Sequence, residues 1–236
     1  MKKYFSIVLL LGLFTSSCFF PSIQRSWVYS TNKNYNYFSH PVFPNKSAVI
    51  LPFKDSRENI NKDRMLMLLI PIYPGYGWID YNVPEEQVNY FPTTTMWTDY
   101  KPSEDYPKAL AQELTSAEIF NEVYFDFRKG DSDFVIEGEI LSTKYTGTIR
   151  SYGLSVCGQF LWFFGFPIGT VSNELKIKLT FIENNSNNIL FSKTYTAPIY
   201  NKLGWVYLLT NDFNYPSMLK SLYKDFTEDI RRIFYQ

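Results

Sequence analysis

The sequence is poor in the residues that build most catalytic and metal sites. Its 236 residues include one histidine, His40, and two cysteines, Cys18 and Cys157. Any Ser-His-Asp triad would have to use His40, and zinc sites need several converging His, Cys or carboxylate ligands. This scarcity argues against a hydrolase of that kind and against a zinc site.

The sequence also has no excess of charge of either sign, with 23 basic and 23 acidic residues. Nucleic-acid-binding domains usually carry a basic excess, so we discount that class and expect no nucleic-acid partner. A hydrophobic content of 45% and an aromatic content of 19% exclude wholesale disorder. No phosphate-binding loop or dinucleotide fingerprint is present, and we expect no cofactor.

The beginning of the chain has the three parts of a secretory signal peptide. Two lysines precede the uncharged apolar residues 4–14, and small residues then lead into Cys18. The apolar run is shorter than the ~20 residues that a membrane-spanning helix needs. We therefore predict that residues 1–17 are a signal peptide.

The small residues that end at Cys18 resemble the lipobox of bacterial lipoproteins, although Thr15 stands where that family prefers leucine. The resemblance implies cleavage before Cys18 and acylation of that cysteine with chains such as palmitate. Two or more acyl chains hold a protein firmly on a bilayer. We therefore expect a lipidated tether over residues 18–46 and attachment to the cell envelope, at the outer membrane and facing the periplasm. The alternative is an ordinary signal peptide followed by a chance cysteine.

If Cys18 is acylated, Cys157 carries the one remaining thiol of the chain. A single thiol cannot form an internal disulfide. Because Cys157 lies in an apolar stretch, we predict that its side chain is buried and inert.

Periodicity predicts strands, an antiparallel hairpin and two amphipathic helices. The strands are predicted at 47–53, 123–127 and 134–140, the hairpin at 174–196, and the helices at 103–120 and 217–234. Ser103 is the expected N-cap of the first helix. The order of elements predicts an α+β domain over residues 47–236, with a mostly antiparallel sheet, two helices packed on one face, and apolar insertions.

Three stretches carry a family resemblance: Ala48-Val-Ile-Leu-Pro-Phe53, Ile119-Phe-Asn-Glu-Val123 and Asp133-Phe-Val-Ile-Glu-Gly-Glu-Ile140. They resemble a periplasmic lipoprotein domain shared by the curli secretion channel subunit, penicillin-binding-protein activator lipoproteins and the amino-terminal domain of the Tol-system propeller protein. The resemblance covers residues 47–53 and 103–236. It implies a binding or assembly role, and no catalytic residue carries over.

Three polar patterns are candidates for chemistry, and each has a simpler explanation. Gly153-Leu-Ser-Val-Cys-Gly158 partly matches a nucleophile elbow built on Ser155. Glu137 and Glu139 share one strand face and could be an acid pair, although a solvent-facing strand explains them more simply. The aspartates of residues 126–133 are spaced as in a turn and lack the glycine and glutamate of a calcium loop. We predict no catalytic and no metal residue.

Two long segments without charge, 65–79 and 151–173, are the strongest anomaly. Prolines and glycines prevent 65–79 from forming a continuous helix, so we expect buried coil or a loop that touches something apolar. Segment 151–173 could be an insertion that covers the core, a membrane-dipping or membrane-spanning hairpin, or a protein–protein surface. We favour the first role, because segments 65–79, 151–173 and 200–210 could pack together. Its candidate contact residues are Phe160, Leu161, Trp162, Phe163, Phe164 and Phe166.

The leading hypothesis is a non-enzymatic envelope lipoprotein that binds another envelope protein or itself, besides membrane lipid through Cys18. The runner-up is an oligomeric secretion or pore component that uses 151–173 in the membrane. An envelope enzyme comes third.

Overall fold

The computed structural model describes residues 27–32, 42–85, 100–205 and 214–234. Its strands form two sheets, and the expected α+β class is confirmed. The first sheet contains β1 (Phe43–Ile50), β2 (Lys54–Asp55), β5 (Phe120–Phe125), β6 (Phe134–Ser142), β9 (Lys176–Glu183) and β10 (Asn188–Thr196). The second contains β3 (Ile60–Asp63), β4 (Tyr76–Asn82), β7 (Tyr145–Arg150), β8 (Gly169–Asn173) and β11 (Tyr200–Gly204). The helices are α1 (Pro102–Ser116), α2 (Gln159–Phe163) and α3 (Tyr215–Phe234).

The first sheet has the order β10-β9-β6-β1-β5, and β2 pairs with β6. β1 runs parallel to both β5 and β6, whereas β9 is antiparallel to both β6 and β10. The hairpin predicted over 174–196 is confirmed, with pairing that extends from Glu183 opposite Asn188 to Lys176 opposite Thr196.

Helices α1 and α3 pack against one face of the first sheet, as expected, and enclose the main core. The predicted stripe of α3 is buried as far as the structure describes its side chains, and it consists of Leu219, Leu222, Tyr223, Phe226 and Ile230. It meets the inward-facing residues of β6 and β9, among them Ile136, Ile140, Ile177 and Leu179.

Helix α1 begins at Pro102 and is flanked by Lys101, so the prediction that Ser103 is its N-cap is wrong. The Ser103 hydroxyl donates instead to the Glu85 carboxylate, at 2.8 Å. Pro107 lies inside the helix and has no N–H to give to the carbonyl of Ser103. That carbonyl accepts a hydrogen bond from the Phe53 amide, at 2.9 Å, which ties the chain after β1 to the helix.

The second sheet is antiparallel throughout, in the order β11-β8-β7-β4-β3. Four short connections join it to the first sheet, at residues 56–59, 143–144, 174–175 and 197–199. All four lie at one end of the second sheet, so its other end projects away from the main core. Its own core is small and contains Ile79, Tyr81, Val83 and Tyr145.

A buried ion pair lies where the two sheets meet. Arg57 donates to Asp55 from Nε, at 2.8 Å, and from Nη2, at 2.6 Å. Its Nη1 donates to the Thr143 hydroxyl in the connection between β6 and β7, at 2.6 Å. The Glu85 amide also donates to Asp55, at 2.7 Å. The pair therefore ties the chain after β1 to the junction of the sheets.

Residues 27–32 lie across α1 and α3, within the range predicted to be a tether. The Glu113 side chain of α1 is fully buried and accepts hydrogen bonds from the Tyr29 hydroxyl, at 2.8 Å, and from Asn32 Nδ2, at 2.7 Å. Trp27 packs against the rings of Tyr100 and Tyr106. This short segment therefore supplies partners for a carboxylate that would otherwise be costly to bury.

We expect Arg57→Ala to lower the free energy of unfolding by about 3 kcal/mol, because it leaves the Asp55 carboxylate without its buried partner. Lys108→Ala is the matched control, since it removes an exposed i,i+4 ion pair with Glu104 and should cost less than about 0.5 kcal/mol. Chemical denaturation of both variants checks this, and equal losses would contradict it.

Acid should weaken the same junction. Burial opposes ionisation of Asp55, but the hydrogen bonds and charge of Arg57 and the Glu85 amide outweigh it and hold the pKa of Asp55 below its ordinary value. The resulting stability is complete above the ordinary pKa, about 4, and is lost as the pH falls through the lower folded-state pKa. Asp55→Asn should therefore lose less stability than the wild type between about pH 5 and pH 2 in denaturation measurements. Equal losses would contradict this.

Candidate functional site

Two long connections meet at the far end of the second sheet. One joins β3 to β4 and the other joins β7 to β8. Tyr76 pairs with Arg150 and Ile149 pairs with Gly169, so both connections leave the same end of the sheet. Residues 65–76 and 151–168 contain no charged side chain. We call these two segments together the apolar tip.

The apolar tip exposes an unusual number of large apolar side chains, each between 43% and 89% accessible to solvent. They are Leu66, Leu69, Ile70, Ile72, Tyr73, Tyr76, Leu154, Val156, Phe160, Phe163, Phe164 and Phe166. At roughly 150–200 Å² for each whole side chain, the exposed area is on the order of 1,000 Å². The largest apolar patch of an ordinary monomer is about 300–600 Å². The tip is therefore a candidate contact surface.

The candidate residues predicted in segment 151–173 all lie in this tip. Phe160, Phe163, Phe164 and Phe166 are exposed, while Leu161 and Trp162 are partly buried. The favoured prediction that this segment covers the core is wrong. The segment leaves the sheet after Arg150 and returns at Gly169, beyond the region where the helices cover the strands.

Segment 65–79 belongs to the same surface, which its sequence alone did not indicate. Residues 65–69 form a 3-10 turn, and the chain joins β4 at Tyr76. Leu66, at 78% exposure, and Ile72, at 89%, are more exposed than most of the predicted contact residues. The third apolar stretch contributes β11, and its residues 206–210 lie outside the described residues.

The two halves of the tip are hydrogen-bonded to each other. The Ile72 amide donates to the Gly153 carbonyl, at 2.7 Å, and the Ser151 amide donates to the Gly75 carbonyl, at 2.8 Å. The Ser155 hydroxyl donates to the Leu69 carbonyl, at 2.6 Å. The tip is therefore a folded unit with paired backbone groups, although its apolar side chains face outward.

Glycine is required where the two halves touch. A Cβ atom at Gly75 would lie 2.9 Å from the Gly153 amide nitrogen, which is closer than such contacts allow. Gly153 itself has a φ of +77°, a backbone conformation that other residues adopt only at a cost. The sequence therefore specifies close contact between the two segments.

Ile72 also has a left-handed backbone conformation, with a φ of 73°. A β-branched residue is unfavourable there by about 1–2 kcal/mol relative to the right-handed conformation. Its side chain gains little packing in return, because it is 89% exposed. The chain thus has an outward-facing isoleucine at a position whose left-handed backbone conformation glycine would adopt more easily.

Two arginines mark the base of the tip. Arg64 precedes its first segment and Arg150 precedes its second, and both are exposed. Within the described ranges, neither side chain forms an ion pair. The backbone carbonyl of Arg150 accepts a hydrogen bond from Trp162 Nε1, at 2.9 Å. The base of the tip therefore carries positive charge next to the uncharged surface.

Cys157 is exposed in the 3-10 turn Ser155–Gly158, so the prediction of a buried thiol is wrong. An apolar neighbourhood in sequence indicated burial, but the whole turn belongs to the exposed tip. The other predicted modification residue, Cys18, lies outside the described residues, as does His40.

The polar candidates have structural partners. Ser155 contacts Leu69 as described above, and Glu137 lies 3.5 Å from the ammonium group of Lys129. Asp133 accepts hydrogen bonds from Lys46 and from the Ser47 amide, at 2.7 and 2.9 Å. Across the four described ranges, no group of three His, Cys, Asp or Glu side chains could hold a metal ion.

A charged groove of about 270 Å³ lies between β10 and α3. Burial opposes ionisation of Asp229, but hydrogen bonds from Lys193 and from Tyr195, the latter at 2.8 Å, outweigh it and lower the pKa of Asp229. Burial and the Asp229 carboxylate raise the pKa of Tyr195. These groups satisfy one another, so the groove offers no reactive group.

We expect Ile72→Gly to leave the free energy of unfolding unchanged or to raise it by up to about 1 kcal/mol, because relief of the left-handed conformation offsets the greater freedom of glycine in the unfolded chain. Ile199→Gly is the control: Ile199 is 60% exposed, and its φ is not positive. That change should cost about 0.5–1 kcal/mol. Thermal and chemical denaturation compare the two, and an equal loss at both positions would refute strain at Ile72.

No helix within the described ranges is long and apolar enough to cross a membrane.

No protein-family model and no curated protein matches the sequence. Among solved structures, the chain is similar to protein XCC0632 from Xanthomonas campestris at 7% identity, over 89% of this chain and 95% of that one, with a TM-score of 0.44. It is similar to the PelC dodecamer from Paraburkholderia phytofirmans at 10% identity, over 84% and 92%, with a TM-score of 0.37. It is similar to lipoprotein GNA1162 from Neisseria meningitidis at 9% identity, over 79% and 99%, with a TM-score of 0.33.

Proposed function

We propose that this chain is a non-enzymatic lipoprotein of the bacterial cell envelope that acts by binding through its apolar tip. The observation that carries the proposal is the exposure of twelve large apolar side chains on a tip without charge. Exposed apolar surface of this extent is costly in water and is typical of a site that meets a partner or a membrane.

The construction of the tip supports a binding role. Its two segments are hydrogen-bonded together and meet at Gly75 and Gly153, so the apolar side chains are displayed by a folded scaffold. Binding surfaces held in shape before contact lose less conformational freedom when they bind. The polar side chains that could suggest chemistry, Ser155 and Glu137, have structural partners instead.

Lipid attachment at Cys18 is the second part of the proposal. It rests on the positive, apolar and small residues that precede Cys18 and on their resemblance to a lipobox. Acylation there would hold the tip permanently at a membrane surface of the envelope, with the outer membrane as the proposed site. The resemblance of residues 47–53 and 103–236 to envelope assembly lipoproteins agrees with this role.

Intact mass and detergent partitioning of the full chain, expressed in bacteria, test the anchor. We expect the native protein to have lost residues 1–17, to carry acyl mass on Cys18, and to enter the detergent phase. Cys18→Ala should carry no acyl mass, and Cys157→Ala is the matched cysteine control that should behave as the wild type. An unmodified Cys18 in the mature native protein would refute lipid attachment.

The tip is tested separately by Phe164→Asp in the same protein. This change should leave acylation and folding unchanged but weaken binding at the tip. Phe127→Asp is the matched control, because Phe127, in the connection between β5 and β6, is 67% exposed and Phe164 is 79% exposed. If the two variants bind their envelope partner equally well or equally poorly, the tip is not the binding surface of the protein.

A further inference from the structure

We propose that the partner of the apolar tip is the lipid bilayer itself, so that the tip dips into the interface of the membrane on which the chain is anchored. This inference rests on the proposed function and names the partner of the same site. Three observations support it: the chemistry of the tip, the arginines at its base, and the position of Trp27, the first described residue, near the junction of the sheets.

The side chains of the tip match the interfacial zone of a bilayer. Phenylalanine, leucine, isoleucine and valine enter the acyl boundary, while tyrosine and tryptophan favour the headgroup level. Backbone hydrogen bonds between the two segments, such as those of Ile72 with Gly153 and of Ser151 with Gly75, lower the cost of entry.

Arg64 and Arg150 lie where lipid headgroups would be. Each immediately precedes one segment of the tip, and neither is in an ion pair within the described ranges. Long basic side chains at the edge of an inserted apolar surface extend toward phosphate groups, and each contributes a modest attraction to anionic lipid. The carboxylate of Asp63 accepts the Met65 amide, at 2.7 Å, and forms no ion pair with either arginine within the described ranges.

Ring contacts connect Trp27 to the part of the first sheet from which the second sheet projects. Trp27 packs on Tyr106 in the first turns of α1, and Tyr100 stacks on Tyr215 at the start of α3. The Tyr215 hydroxyl donates to the carbonyl of Thr143, in the connection between the two sheets. Trp27, the first described residue, therefore lies near the junction of the sheets.

The available length of chain allows both contacts at once. The residues from Cys18 to Trp27 span at most about 30 Å when extended. β7, with six residues, carries the tip about 20 Å beyond the junction. A lipid at Cys18 and the apolar tip can therefore reach the same bilayer surface.

A protein partner or a second copy of the chain would have to present a hollow that accepts the tip, because the tip projects from the end of a sheet. Two grooves on the described surface, one between β10 and α3 and one lined by Thr31, Ala111 and Val123, are too small to receive the tip, at about 270 and 360 Å³. Membrane lipid adapts to a projecting surface without a preformed hollow. The observations therefore favour the bilayer.

The exposed thiol of Cys157 provides a direct test. The full-length protein is reconstituted in vesicles of phosphatidylethanolamine and phosphatidylglycerol, and Cys157 carries an environment-sensitive fluorophore. We expect blue-shifted emission and quenching by a nitroxide on the upper acyl chain. The control carries Cys157→Ser and Ile189→Cys, which places the label on the first sheet at a residue that is 60% exposed. Its label should stay in water.

The labelled mass separates the two proposals. One label per mature chain means that Cys18 is blocked, whereas two labels mean that Cys18 is free and that the proposed lipid anchor is wrong. In the second case the same measurement on Cys18→Ala still reports on the tip. A label at Cys157 that is as water-exposed as the label at residue 189 would overturn the bilayer proposal. So would a label that becomes shielded without vesicles as the protein concentration rises, because that outcome indicates a second copy.

Lipid charge gives an independent arm of the test. Arg64→Glu combined with Arg150→Glu should lower quenching of the Cys157 label in vesicles that contain phosphatidylglycerol, and should change it little in phosphatidylcholine. Lys176→Glu combined with Lys178→Glu is the matched control, because both lysines are exposed on the first sheet. Phe164→Asp should lower quenching in both kinds of vesicle, because it should lower the partitioning of the tip into the bilayer about tenfold. Equal effects of the two charge-reversal pairs would refute a role for the arginines.

Discussion

The position of the second sheet depends on one buried ion pair. Arg57 is 8% exposed, and it joins Asp55, at the end of β2, to Thr143, between β6 and β7. The Thr143 amide in turn donates to the Asn82 side chain at the end of β4, at 2.9 Å. Arginine suits this position because its planar group donates in several fixed directions at once. A set of paired polar groups thus joins the two sheets at their junction.

The two ends of the second sheet have opposite relations to water. At the junction, polar and charged groups are buried and satisfied by hydrogen bonds. At the tip, apolar side chains are exposed and the backbone groups beneath them are satisfied by one another. Because polar groups are costly to bury without partners, the first arrangement specifies a unique geometry. Because apolar groups are costly to expose, the second implies that water is not the usual neighbour of the tip.

Much of the first sheet could be predicted from the sequence. α3, the hairpin β9–β10 and β6 have strong periodicity over eight or more residues, and each buries the face that its pattern indicates. The second sheet could not be predicted in this way. Its strands have four to seven residues, and several combine threonine, glycine or asparagine with few apolar side chains. Short strands of this kind gain their stability from pairing, which a single sequence does not display.

The candidate site shows the same division. The absence of charge in 65–79 and 151–173 identified the segments, but composition alone cannot tell a covered apolar surface from an exposed one. The answer lies in the pairing of β4 with β7, which brings both segments to the end of a sheet that no helix covers. Contacts such as Glu113 with Asn32 join residues that are 81 positions apart, and no local pattern indicates them.

The contact between residues 27–32 and the two helices has a mechanical consequence for a chain held at Cys18. Tension along the chain would act on side-chain contacts of Trp27, Tyr29 and Asn32, and these can yield one after another while the sheets stay intact. If these contacts were released, the chain from Cys18 would join the folded domain at Phe43 of β1, and its maximum extended length would rise from about 30 Å to about 80 Å. The contacts of residues 27–32 would then determine whether the linker is short, which keeps the domain against the surface, or long.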